Sequence, residues 1–174
     1  MRLPRLALLC VLLVCATAAR ADAYDDAQRL LRSGDAAAAL ELADRTIADQ
    51  PRDARMRFLK GVILTQSGRN AEAEQVFRAL TEDFPELSDP YNNLAVLYAA
   101  DGRLPAALGA LQAALRNDPQ HRAALENLGD VHLALAIAAW SQAASGAKGD
   151  TTALRRKLRL AREIPAAVTP SKPG

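Results

Sequence analysis

The 174-residue chain carries 22 Lys and Arg against 20 Asp and Glu, and half of its residues are hydrophobic while only 4% are aromatic. That balance leaves no chain-wide basic surface for a polyanion, and so few aromatics offer no stacking platform for nucleic acid. Its two cysteines, Cys10 and Cys15, both lie in the first 21 residues, so the remainder holds no disulfide and depends on helix packing.

Residues 1–21 read as a cleavable export leader. Arg2 and Arg5 precede an apolar run from Leu6 to Ala16, and Ala19-Arg20-Ala21 supplies the small-x-small pattern of a cleavage site. An apolar run this short, with no second spanning stretch after it, points to export and removal, not to a permanent membrane helix. Leu9 and Val14 stand before the cysteines where a lipidation signal would place a small residue, which argues against an anchor at Cys15. The expected compartment is the bacterial periplasm.

Beyond the leader the chain repeats. Pro51, Pro85 and Pro119 fall 34 residues apart, and each is preceded at 17 residues by Gly34, Gly68 or Gly102 and at 12 by Ala39, Ala73 or Ala107. Ala27, Gly61 and Ala95 stand 24 residues before the prolines, with Gly129 in register in an incomplete fourth unit. A glycine at that place ends a first helix in a left-handed cap, and small residues at the other two let paired helices cross closely. Apolar residues such as Leu94, Leu97 and Tyr98 recur at spacings of three and four, as amphipathic helices require.

Through these residues the chain resembles the tetratricopeptide repeat family. The best copy runs Tyr91-Asn92-Asn93-Leu94-Ala95-Val96-Leu97-Tyr98, then Gly102, Ala107, Leu111, Ala114 and Pro119, with tyrosine for the family's tryptophan and leucine for its phenylalanine. A second copy keeps Gly61, Leu64, Ala73, Phe77 and Pro85 but has Arg57 and Lys60 at two apolar landmarks. The implied fold is all-α: an α-α superhelix of three repeats, at about 22–53, 54–87 and 88–121, with a partial fourth at 122–144.

Where the fourth unit should turn there is no glycine, so Ala136 to Trp140 extends one long helix to about Ala144. A loop from Ser145 to Asp150 and a basic helix from Thr152 to Glu163, capped by Asp150 or Thr151, make up 145–164. Pro165, Pro170 and Pro173 mark residues 165–174 as an extended, disordered tail. Residues 22–144 carry 12 Lys and Arg against 18 Asp and Glu, a net of −6, while 145–174 carry 7 against 2, a net of +5. The basic helix holds Arg155, Arg156, Lys157, Arg159 and Arg162 around an apolar side of Leu154, Leu158, Ala161 and Ile164. It reads as a solvated cap, or as a surface for anionic lipid or an acidic partner.

Function by resemblance is that of a scaffold binding a protein or peptide through the concave face of the first helices. By register those positions are Tyr24, Gln28 and Leu31; Arg55, Phe58, Val62 and Thr65; Asp89, Asn92, Val96 and Ala99; and, on the terminal helix with Ala123, Glu126, Asp130, Leu133, Ile137 and Trp140. Trp140 reads as a core residue, a ligand anchor or a docking point for the chain's own last helix. Asn93 and Asn127 match positions that in some family members hold a partner's C-terminal carboxylate, but Phe58, Val62 and Ala123 replace the basic residues of that clamp, leaving the asparagines a helix-contact role.

Catalysis is not expected. His121 and His132 are about 16 Å apart along one helix, too far to share a metal. The glycine-bearing Ser145 to Gly149 stretch follows a helix and lacks the strand and spacing of a phosphate-binding loop. No cofactor, metal or nucleic-acid partner is implied. The expectation is a periplasmic adaptor for an envelope protein, with a membrane-surface tether acting through the basic helix as the alternative.

Overall fold

The computed structural model describes residues 23–146 and 149–164. The leader expected at 1–21, with both cysteines, and the tail expected at 165–174 lie outside the described residues. Among those described, all regular structure is helical: α1 (23–32), α2 (Ala36–Asp49), α3 (Ala54–Gln66), α4 (Asn70–Asp83), α5 (Ser88–Ala100), α6 (Leu104–Asn117), α7 (Arg122–Gly146) and α8 (Thr152–Arg162).

The turn inside each of the three repeats is the same object. Gly34, Gly68 and Gly102 have φ of 88°, 72° and 71°, the left-handed region where a Cβ is strained. Each glycine N–H reaches the carbonyl three residues back, and the following N–H reaches five back: Asp35 to Leu30 at 3.0 Å, Arg69 to Leu64 at 2.9 Å, Arg103 to Tyr98 at 2.8 Å. This double bond pattern satisfies the last carbonyls of the first helix and reverses the chain. Nothing lies within 4 Å of a Cβ built at these glycines, so backbone conformation, not space, selects glycine there.

The chain divides into two compact units within α4, after Val76. In the first, α2 and α3 pack together, and Tyr24, Ala27, Ala39, Ala43, Met56, Leu59 and Ile63 form a buried cluster. Asp35 and Asp53 cap α2 and α3, each carboxylate accepting at 3.0 Å from the N–H three residues on. On α4, the Arg69 guanidinium grips Glu72 with two bonds of 2.7 and 2.6 Å, which hold that exposed carboxyl below its ordinary range.

In the second unit α5 pairs with α6, α6 and α5 with α7, and α7 with α8. Its core is Ala95, Ala107, Leu111, Ala114, Ala124 and Val131. Ala39, Ala73 and Ala107, at equivalent places in the three repeats, are all fully buried. Asn117 ties the end of α6 to the preceding turn by donating to the Pro85 carbonyl at 2.7 Å.

The terminal helix departs from the register in a telling way. Gly129 was expected at a close helix crossing, but it is exposed and a Cβ there would meet nothing within 4 Å. Leu125, also in register, is 49% exposed. Both positions would face the second helix of a fourth repeat, and α7 instead continues straight to Gly146. Beyond it, Asp150 caps α8, its Oδ1 accepting from the Thr152 hydroxyl at 2.6 Å and the Thr152 N–H at 2.8 Å. Those bonds, the hydroxyl's first, hold the Asp150 carboxyl below its usual range. The cap is therefore complete above the ordinary carboxylate range and is lost as pH falls through the depressed value.

Candidate functional site

In the first unit the candidate binding residues are largely engaged with one another. Tyr24 is buried, its ring lies 3.6 Å under the Arg55 guanidinium carbon, and its hydroxyl accepts from Gln28 Nε2 at 3.0 Å. Gln28 Oε1 in turn accepts from Arg32 at 3.2 Å. Leu31 packs at the margin of the core, Phe58 and Val62 are buried, and the Thr65 hydroxyl donates back to the Gly61 carbonyl at 2.9 Å. Arg55 is the exposed member of the set.

The second unit assembles a concave site. Val96 and Ala99 of α5, with Asp130 of α7, line a cavity of about 260 Å³ whose other walls are Ala100, Leu104, Val131 and Ala134. Three of the candidate residues thus converge, and four lining residues were missed. Ala100 and Ala134 each follow a candidate or neighbour by one residue, within the 100° step that separates adjacent side chains on a helix. Leu104 belongs to α6, which a register confined to first helices could not include. Alanines at 99, 100 and 134 are what leave the space empty.

Around that cavity the remaining candidates have structural work. Asn92 is fully buried, and its Oδ1 accepts from Asn127 Nδ2 at 2.8 Å, joining α5 to α7. Asn93 is buried too and donates to the Asp89 carbonyl at 3.0 Å, so the asparagines make helix contacts. Asn92, expected on the binding face, is therefore a clasp between helices. Asn127→Leu should remove the buried bond to the Asn92 oxygen and cost about 1 to 3 kcal/mol. In urea denaturation, adding Asn92→Leu should cost less than its own single variant, and strict additivity would refute the coupling.

His121, which the sequence places too far from His132 to share a metal, has a structural role. It precedes α7, where its Nδ1 accepts from the Ala124 N–H at 3.2 Å while its Nε2 stands 2.9 Å from Asp89 Oδ1. The cap makes Nδ1 the acceptor, so Nε2 carries the proton and donates to Asp89. The only sequence signal for this was its place just before a helix. Glu126 pairs with Arg122 at 3.0 Å on the surface. Leu133 and Ile137 are half-buried, and Trp140, also half-buried, carries the Lys157 ammonium 5.7 Å from its ring centre. Trp140 thus lies beside the last helix, whose Lys157 faces its ring.

On α8, Leu158 and Ala161 are buried, while Arg155, Arg156, Lys157, Arg159 and Arg162 are exposed. No three His, Cys, Asp or Glu side chains among the described residues converge to hold a metal, and no described helix is long and apolar enough to cross a membrane.

Solved structures share this fold. The crystal structure of YrrB, a TPR protein with an unusual peptide-binding site, is 30% identical over 59% of this chain with a TM-score of 0.55. The chain spans about half of that structure's length, 53%. MamA is similar at 18% identity, covering 79% of this chain and 82% of its own, with a TM-score of 0.59. A MamA fragment from Desulfovibrio magneticus RS-1 gives 20% identity, 81% and 72% coverage and a TM-score of 0.57. Among curated proteins none matches significantly. The tetratricopeptide repeat model itself matches residues 16–88 and 92–144. With three left-handed glycine turns 34 residues apart and buried alanines in step with them, that match places the chain in the tetratricopeptide repeat family.

Proposed function

We infer that this chain is an exported, non-catalytic interaction scaffold, an adaptor or assembly factor that holds a peptide segment of another envelope protein against the first helices of its repeats. The observation that carries the reading is the cavity at Val96, Ala99 and Asp130, an open concave site on two successive first helices. The peptide-binding site named in the YrrB structure supports it, since that protein shares the repeat. The leader-like residues 1–21 support the periplasm as the place of work. Affinity purification from the envelope fraction tests the reading. One protein should co-purify in salt that screens surface charge, with a bait whose intact mass starts at Asp22. A bait still starting at Met1, or a diacylated species starting at Cys15, would refute export with cleavage after Ala21.

A second reading has an observation of its own. Leu160 is 47% exposed on a helix with five exposed cations, and Ile164, just beyond the helix, is 54% exposed, as a membrane-surface tether needs. The burial of Leu158 and Ala161 opposes it, because that apolar side is spent inside the protein. Flotation with anionic liposomes that vanishes in salt would favour the tether over the adaptor.

A further inference from the structure

α8 carries cations on two sides, and the two differ in what surrounds them. We propose that Arg155, Arg159 and Arg162 form a docking stripe for an acidic helical segment of a protein partner, one that presents carboxylates at i, i+4 and i+7. The inference rests on the scaffold reading for the partner's being a protein, and it adds a contact on α8 to those on the first helices.

A helix turns about 100° per residue, so these three arginines lie within about 60° of one another and span about 10 Å of its length. With Leu158 and Glu163 they line one recess of about 420 Å³. Among the described residues the Arg155 and Arg162 side chains have neither an ion pair nor a hydrogen bond, and Arg159 reaches only Glu163, at a long 3.5 Å. α7, the helix on which α8 packs, brings no counter-charge, since from Leu133 to Gly146 it holds neither Asp nor Glu. Asp150, the acidic residue that precedes α8, is held by Thr152. The stripe is therefore open to an incoming anion. Leu158, buried in its floor, lowers the local dielectric and strengthens such a contact.

Geometry selects the occupant. A membrane surface needs exposed apolar side chains on the same side of the helix as the cations. Here the exposed Leu160 lies about 130° round the helix from the middle of the stripe, beside Arg156 and Lys157, and the leucine next to the stripe is the buried Leu158. A bilayer that takes up Leu160 thus leaves the stripe facing elsewhere. A single phosphate is compact, whereas these cations are spread over two turns and Glu163 stands among them, repelling a dianion more than it repels separate carboxylates. A partner helix laid along α8 brings carboxylates at i, i+4 and i+7 over the same rise, and the planar fork of arginine can pair each of them through two N–H groups.

The test follows a fluorescein-labelled, alanine-based helical peptide with glutamates at i, i+4 and i+7 by fluorescence anisotropy on the full chain, in physiological salt. Expected is saturable binding that falls about tenfold in the Arg155→Gln, Arg162→Gln double variant, the joint scale of two exposed ion pairs, and is unchanged by Arg156→Gln. The same peptide with glutamine for glutamate should not bind. All three substituted arginines are exposed, so urea midpoints should match the parent and lost binding then reports lost contact. An equal loss with Arg156→Gln would reduce the effect to net charge and overturn the stripe. Displacement of the peptide by inorganic phosphate beyond that by chloride of equal ionic strength would assign the stripe to a phosphate. Flotation with phosphatidylglycerol vesicles that the double variant abolishes and Arg156→Gln leaves intact would assign it to lipid. Either result overturns the proposed partner. No binding of the glutamate peptide would overturn this inference, while the scaffold reading fails only if no protein co-purifies from the envelope fraction.

Discussion

Leu111→Ala is expected to lower stability by about 2 to 5 kcal/mol, and Ala107→Leu by about 1 to 3, while Ala106→Leu stays within about 0.5. Leu111 and Ala107 are both fully buried in the cluster that joins α5, α6 and α7, whereas Ala106, one residue away, is exposed. Truncating Leu111 leaves a cavity that rigid neighbouring helices cannot close, so it loses both transfer energy and packing. At Ala107 the sign of the volume change is opposite and the outcome similar, because the alanine at 107 is the small residue of the repeat frame and extra carbons force the helix pair apart. A domain stable by about 5 to 15 kcal/mol gives up a large fraction of that in the first case. Urea midpoints for the three variants check the register. Equal midpoints for Ala106→Leu and Ala107→Leu would mean that the helix faces have been assigned wrongly.

The ease with which that register could be read from sequence has a physical cause. Gly34, Gly68 and Gly102 sit where only glycine tolerates the backbone, and Ala39, Ala73 and Ala107 sit where only a small side chain fits, so each requirement leaves one residue type repeated at a fixed interval. Gly129 shows the limit of such marks. It kept the interval while the structure gives it no crossing to serve, because the marker records a position in the repeat and says nothing of whether the next helix is present. The clasp between Asn92 and Asn127 was illegible for a different reason. A polar residue on a first helix is compatible with exposure or with a buried partner 35 residues away, and composition does not distinguish them. The cavity was half legible: register found Val96, Ala99 and Asp130, but emptiness depends on what the neighbouring helix fails to fill, and Leu104 enters only through α6.

Ending the chain after Gly149 is expected to shift Trp140 emission to the red and to lower the denaturation midpoint. Trp140 is half-buried on the last turns of α7, and the Lys157 ammonium of α8 lies 5.7 Å from its ring centre. Removing α8 takes away Lys157 together with Leu158 and Ala161, whose burial shows that α8 rests on the protein with its apolar side inward. Burying a leucine stabilises by about 1.5 to 3 kcal/mol relative to leaving it in water, so losing the buried Leu158 together with Ala161 is expected to lower stability measurably. Leu158→Ala should reproduce most of the red shift within the full-length chain, and Arg156→Ala, on the exposed side, should leave emission unchanged. That contrast separates docking by the apolar side from attraction by charge: if Arg156→Ala and Leu158→Ala shift the emission equally, charge and not burial holds α8. If truncation changes neither emission nor midpoint, α8 is a free arm whose apolar side is open to a surface, and the membrane tether then gains over the adaptor.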